Sequence, residues 1–288
     1  MKVAIVSGKG GTGKSSITAS FISISKSALA MDCDVDASNL YMIFNPIIEN
    51  QEVYISGKYA NIDAKKCQGC GLCQSKCRYD AIKLEAGAFV VDEVSCEGCG
   101  LCARICPSGA ISMRYSDKSR IYSGTFRYGN MIFGRLAPGE ENSGKLINKL
   151  RTRADELCEK LAIKDQILDG PPGIGCPVIS TITGVDKVVI ITEPSLSGIS
   201  DLKRIYQTAI HFTSAIYVLI NKCDLDAENS EAIRQWCADQ SIVLAGELPF
   251  DRVVVDAMVR RASVVEAYPD SLISAKITEA YNKIFKGE

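Results

Sequence analysis

Histidine and tryptophan occur once each in the 288 residues, so a metal site or proton relay built on paired imidazoles has no second residue to use. The lone histidine, His211, ends a helix-like segment and reads as a satisfied structural residue. No apolar run approaches the roughly 20 residues that cross a bilayer. No secretory h-region or cleavage site precedes the first Gly-rich stretch, so a cytoplasmic protein is expected. An excess of either charge is also missing: 33 Lys plus Arg against 34 Asp plus Glu leave a net charge of −1. That balance offers no basic stripe for nucleic acid and no polybasic patch for a membrane anchor, and neither partner is expected.

Cysteine is the residue in surplus. Thirteen cysteines are unusual for a compartment that keeps thiols reduced, and eight of them crowd between Cys67 and Cys106. Clustering at short fixed spacings points to metal, not disulfides. The scattered five, Cys33, Cys158, Cys176, Cys223 and Cys237, read as small buried hydrophobes.

Short apolar runs at Lys2–Val6, Ala28–Met31, Gln166–Leu168, Lys187–Thr192, Ala215–Ile220 and Ile242–Ala245 alternate with helix-length segments, the first of them Lys14 to about Ser27. The pattern predicts an α/β fold with a mostly parallel sheet covered on both faces. Residues 59–114 break it. There CQGCGLCQSKCRYDAI (67–82) matches CEGCGLCARICPSGAI (96–111), an internal duplication that marks an inserted domain. The expected organisation is a discontinuous domain, 1–58 and 115–288, around an insert at 59–114. Residues 120–140 are expected to form a hairpin leading back to the core. In 139–145, GEENSGK, the expectation is an N-cap with acidic first-turn residues.

The segment Gly8-Lys9-Gly10-Gly11-Thr12-Gly13-Lys14-Ser15 satisfies G-x-x-x-x-G-K-[ST] between an apolar strand and a helix, the context a phosphate-binding loop requires. Its backbone N–H groups, with Ser16 continuing them, would cradle phosphates. Lys14 would supply a point charge and the Ser15 hydroxyl would bind Mg²⁺.

With Lys9 at the loop's start, KGGTGKS resembles the deviant P-loop (deviant Walker A) of the MinD superfamily, which includes MinD, ParA, nitrogenase iron protein and the Mrp-type iron–sulfur carriers. The resemblance implies a P-loop NTPase fold, ATP and Mg²⁺ as ligands, ATPase activity, and Lys9 reaching the nucleotide of a partner subunit in an ATP-sandwich dimer. That dimer would be a homodimer or a heterodimer with a related ATPase. Asp32-Cys33-Asp34-Val35-Asp36 resembles switch I, where Asp34 would orient the attacking water. Asp169-Gly170-Pro171-Pro172-Gly173 resembles Walker B with switch II. There Asp169 would stand behind Mg²⁺ and the Gly173 N–H would face the γ-phosphate. Asn221 and the later Pro249-Phe250-Asp251 match adenine-pocket positions, which favours ATP although Asn221-Lys222-Cys223-Asp224 also looks like the guanine-reading NKxD.

The spacing C-x2-C-x2-C-x3-C occurs twice, at Cys67, Cys70, Cys73 and Cys77 and at Cys96, Cys99, Cys102 and Cys106. In two-cluster runs of this kind the fourth cysteine ligates the other cluster. One [4Fe–4S] cluster is thereby assigned to Cys67, Cys70, Cys73 and Cys106, the other to Cys96, Cys99, Cys102 and Cys77. The module resembles bacterial two-[4Fe–4S] ferredoxins, a small α+β domain, except that Arg78 stands where the first motif would carry proline. Zinc is the competing metal, but its sites usually show two CxxC pairs separated by a longer run.

The expected function is nucleotide-coupled electron transfer to an unidentified redox donor or acceptor. The alternatives are a cluster carrier or cofactor-assembly ATPase of the Mrp type and a MinD/ParA-like positioning switch. Cys176 reads as buried. The C-terminal Leu272, Ile273, Ile277, Tyr281 and Ile284 recur at helical spacing and read as a face docked on the core, beside charges at Lys283, Lys286 and Glu288.

Overall fold

A computed structural model describes every residue except Ser56, Glu141 and Glu288. The chain begins β1 (Lys2–Ser7), α1 (Lys14–Ser25), β2 (Leu29–Asp32), α2 (Leu40–Phe44) and β3 (Ile47–Tyr54). Next come β4 (Lys58–Ile62), α3 (Leu72–Ser75), β5 (Ile82–Glu85), β6 (Ala88–Val91), α4 (Leu101–Ile105) and β7 (Ile111–Tyr115). β8 (Ser119–Phe126) and β9 (Gly129–Arg135) precede α5 (Ser143–Leu161), β10 (Gln166–Pro172), α6 (Cys176–Ile182) and β11 (Lys187–Thr192). The rest is α7 (Leu196–Ala209), β12 (Ile216–Asn221), α8 (Ala227–Asp239), β13 (Val243–Leu248), α9 (Val253–Val259), α10 (Val264–Ala267) and α11 (Leu272–Phe285).

Nine strands form one sheet in the order β13-β12-β11-β1-β10-β2-β9-β8-β3, and its pairs from β13 through to β9 are parallel. Parallel strands are covered on both faces and so read as unbroken apolar runs. β1 (KVAIVS) and β11 (KVVIIT) are accordingly buried along nearly their whole length. The fold is a mostly parallel α/β architecture. Register sets up the site: Ile5 lies opposite Asp169, and Asp169 opposite Asp32. The P-loop and both carboxylates thus emerge at the carboxyl ends of three adjacent strands, where open α/β sheets bind ligands. β3 (IIENQEVY) was not expected; six of its eight residues are exposed, so it lacks the apolar run that reveals a central strand.

Contacts divide the chain into two compact units, one of Met1–Gln51, Ile121–Gly134 and Ser143–Glu288, the other of Glu52–Arg120 and Arg135–Asn142. In the second, β4 pairs antiparallel with β7 and β5 with β6. Its small core holds Ala60, Cys73, Ile82 and Ile111.

Several single-residue expectations need correction. His211 is exposed, because it falls in the turn that closes α7 and not on the helix's core face. Cys176 is exposed and Cys223 half-buried, whereas Cys33, Cys158 and Cys237 are buried as expected. Cys176 opens α6 directly after Gly175, and the helix's core residues, Val178, Thr181 and Ile182, lie further along. Leu272 is exposed at the first position of α11, while Ile273, Ile277, Tyr281 and Ile284 are buried; Glu288 lies outside the described residues. α5 begins at Ser143 with no acidic residue in its first turn. Glu140 instead accepts hydrogen bonds from the Ser116 and Ser119 hydroxyls, and Glu141 lies outside the described residues.

The β8–β9 connection is fastened by Arg127. Its guanidinium donates to Glu266 at 2.5 Å (Nε–Oε1) and 3.0 Å (Nη2–Oε2), to the Phe44 carbonyl at 3.1 Å, and lies over the Phe44 ring. Burial would raise the Glu266 carboxyl, but Arg127 and the Ser263 N–H reverse this and hold it at about 2. Replacing Arg127 with Ala should cost about 2 kcal/mol, the usual scale for hydrogen bonds to a charged group. Because the folded carboxyl titrates below its unfolded value, the contribution is complete above about pH 4.5 and fades as pH falls toward 2. Urea denaturation of wild type and Arg127→Ala at pH 7 and pH 3 checks both statements: the gap between them should narrow at pH 3.

Candidate functional site

Ser7 to Ser16 wrap one end of a cavity of about 510 Å³ that Asp34, Asn39, Pro172, Asn221, Pro249 and Asp251 also line. Three sequence segments far apart in the chain, the P-loop, switch I and the Pro249–Asp251 stretch, therefore share one cavity. Gly8, Asp169 and Gly173 do not line it. Gly13 precedes α1 at φ +86°, and a Cβ there would come within 2.3 Å of the Asn221 amide nitrogen. Only glycine satisfies both the left-handed backbone and that close approach.

Lys14 is 6 % exposed and Asp169 0 %; Nζ and Oδ1 stand 2.8 Å apart. Burial would pull the ammonium down, yet Asp169, with Asp32 and Asp34 behind it, outweighs burial and holds Lys14 above its usual range. Thr18 also donates to Asp169 Oδ1, at 2.9 Å, whereas Asp169 Oδ2 and Thr12 Oγ1 are buried and have no hydrogen-bond partner. Thr12 lines the cavity and Asp169 stands behind Lys14, so orphaned polar atoms at these two positions fit a hydrated Mg²⁺ and a phosphate.

Asp32 organises switch I. Its Oδ2 accepts from Ser38 Oγ (2.7 Å), Asn39 N (3.1 Å) and Leu40 N (3.0 Å), and its Oδ1 from Asp34 N (3.0 Å). Burial, reinforced by Asp169, pushes the Asp32 carboxyl up to about 7. Asp34 is half-buried, and burial raises it against the pull of Lys14. The Gly173 N–H, expected to face phosphate, donates to the Ser7 carbonyl at 2.8 Å.

Sequence reasoning missed Glu193. Lys9 reaches it at 2.7 Å and also donates to Ser195 (3.1 Å) and Ser197 (2.9 Å). Lys222 bridges Glu193 (3.0 Å) and the Gly11 carbonyl (3.0 Å). Burial would raise Glu193, but the two lysines hold it below the usual range. Asn221 donates to the Thr12 carbonyl at 2.7 Å, bracing the loop. Asp224 accepts from Phe250 N at 2.6 Å and positions the Pro249–Asp251 segment. The NKCD stretch signalled these residues, but its resemblance to a base-reading motif hid their loop-bracing contacts.

All eight clustered cysteines are free thiols. Cys67, Cys70, Cys73 and Cys106 line one cavity; Cys77, Cys96, Cys99 and Cys102 line another, which Cys73 also lines. The fourth cysteine of each motif therefore stands with the first three of the other. Gly71 and Gly100, at φ 70° and 73°, turn the chain into α3 and α4. Among the described residues no three Cys, His, Asp or Glu side chains converge tightly enough to hold a single ion. Burial pushes the Cys73 and Cys102 thiols up.

A 4Fe–4S dicluster domain model matches residues 60–113. The whole chain takes the fold of Pyrococcus furiosus cell-division ATPase MinD (TM-score 0.58, 14 % identity, 100 % of this chain and 99 % of that one). It resembles equally the septum site-determining protein MinD of Pyrococcus horikoshii, solved with Mg-ADP (TM-score 0.57, 16 % identity, 99 % and 96 % covered). The chain has the fold of the MinD/ParA type with a 4Fe–4S dicluster domain inserted in it, and it belongs to one family with MJ0578 of Methanocaldococcus jannaschii. Its relatives include two uncharacterized proteins of Methanocaldococcus jannaschii. MJ0578 is 34 % identical over 287 residues, covering 99 % of this chain and 96 % of that protein. MJ0579 is 27 % identical over 275 residues, covering 92 % of each.

Gly13→Ala should distort the loop against Asn221 and weaken nucleotide binding by more than about tenfold, since strain at such a position costs of order 1–3 kcal/mol. Calorimetric titration with Mg-ATP is the check. The Asn221→Ala variant, which removes the clash, should recover part of the loss in the double mutant.

Proposed function

We propose that the chain binds and hydrolyses ATP as a dimer and couples its nucleotide state to electron transfer through two [4Fe–4S] clusters. One observation carries this reading: a single polypeptide combines a nucleotide-sized cavity, lined by a Lys14 that pairs with buried Asp169, with eight cysteines that gather around two neighbouring cavities. The Mg-ADP in the P. horikoshii MinD structure, whose fold this chain shares, supports nucleotide as the occupant.

In this account the loop N–H groups of Gly10 to Ser16 bind the phosphates, and Lys14 shifts its ammonium between Asp169 and phosphate oxygen. Ser15 would hold Mg²⁺, and the unpartnered Asp169 Oδ2 would be available to accept from a metal-bound water. Asp34 orients the attacking water from the cavity wall, where burial raises its carboxyl against the pull of Lys14. Asn221, Pro249 and Asp251 border the base, with Val254, Val255 and Met258 as apolar wall. Lys9 exchanges Glu193 for the partner subunit's phosphates. When bound, the clusters supply one-electron chemistry; Cys67, Cys70, Cys73 and Cys106 hold one and Cys96, Cys99, Cys102 and Cys77 the other. The discontinuous organisation, 1–58 and 115–288 around 59–114, belongs to the same proposal.

The exposed thiol of Cys176 supports a second reading, a carrier that bridges a transferable cluster between subunits. Iron beyond the roughly eight atoms of two cubanes, lost in Cys176→Ser, would favour it.

The coupling is tested by stopped-flow oxidation of the dithionite-reduced protein with a one-electron dye acceptor. Mg-ATP should change the rate by about tenfold, within the range of coupling between sites, and Lys14→Ala should abolish the effect. Equal rates with ATP, ADP and no nucleotide would refute the coupling.

A further inference from the structure

The duplicated cysteine motif provides an internal comparison. At equivalent positions, 29 residues apart, Arg78 replaces Pro107, Tyr79 replaces Ser108, and Glu97 replaces Gln68. The first member of the Arg78 and Tyr79 pairs, and Glu97, line the cavity of Cys77, Cys96, Cys99 and Cys102; their counterparts line the other. Lys76 and Arg104 also line the former, and Arg104 donates to the Cys99 carbonyl at 3.3 Å. Three cationic residues and one carboxylate thus line the cavity of one thiol set, while among the described residues no charged side chain lines that of the other. Lys65 and Lys66 stand near Cys67 but outside that cavity, and Lys66 pairs with Asp63.

A cluster gains a negative charge on reduction, so neighbouring positive charge favours its reduced form and raises its potential. Hydrogen bonds to sulfur act in the same direction, and here they oppose the charges. Cys106 accepts from Ala110 N at 3.4 Å and lies 3.6 Å from the Ser108 hydroxyl, against one bond, from Ala60 N at 3.5 Å, to Cys96. The difference is one weak neutral dipole against a net two positive charges. Charge has the longer reach and prevails.

We propose that Lys76, Arg78 and Arg104 make the Cys77/Cys96/Cys99/Cys102 site the higher-potential of the two cluster sites, so that a single electron in the module resides there. This rests on the reading that each thiol set holds a [4Fe–4S] cluster. The experiment is an EPR-monitored redox titration of the full-length, anaerobically purified protein. The wild type should give two resolved waves. In the Lys76→Gln/Arg78→Gln/Arg104→Gln variant the upper wave should move to lower potential while the lower stays fixed, and added salt should shrink the difference between variant and wild type. Pro107→Arg should raise the lower wave alone, and Arg78→Pro, which copies the other motif's residue, should repeat part of the shift if the triple variant fails to load iron. One unresolved wild-type wave, movement of the lower wave, or no movement in iron-replete variants would overturn the proposal. An iron content well below eight atoms in the wild type would instead sink the underlying two-cluster reading.

Discussion

A buried ammonium is tolerable only beside a buried carboxylate, and the pairing of Lys14 with Asp169 is the constraint on which the nucleotide half of this molecule depends. Lys14 opens the helix after β1, while Asp169 arrives more than 150 residues later on β10. The two meet because β10 lies against β1 in the sheet. Asp32 comes to the same spot from β2, on β10's other side. Desolvating three charged groups together is costly unless they satisfy one another. Asp32 is held by four hydrogen bonds and its carboxyl is pushed up to about 7, the response expected when two carboxylates crowd one cation. An anion that drew Lys14 outward would change this balance at Asp32 and Asp169.

The iron half rests on a different economy. Its core is small, and its cysteines are placed by tight turns at Gly71 and Gly100 and by two short helices. Neither two-stranded ladder would be stable alone in water, so liganded iron would supply much of the module's folding free energy. In the proposed ligand sets, exchange of the fourth cysteine between the repeats would tie the two halves into one folding unit.

Much of this was legible in the sequence, for particular reasons. The central strands announced themselves because burial on both faces leaves four unbroken apolar residues in each, Val3 to Val6 in β1 and Val188 to Ile191 in β11. KGGTGKS was legible because each residue type answers one demand of a phosphate, and the cysteine pairs because thiolate spacing is set by the cluster. The edge strand β3 was not, since exposed edges carry polar residues that resemble a loop. Glu193 was invisible as well: a single carboxylate after β11 has no motif, and only the fold brings it to Lys9 and Lys222. Cys176 was misjudged because exposure there depends on where α6 starts, a boundary that composition does not mark.

The central claim, that one polypeptide grips both a triphosphate and inorganic iron, is met most directly by native mass spectrometry of the anaerobically purified protein with and without Mg-ATP. The account predicts a mass increment of two [4Fe–4S] clusters per chain and a further increment of one Mg-ATP. A chain carrying cystines or zinc in place of iron, or one that takes up no nucleotide, would contradict it.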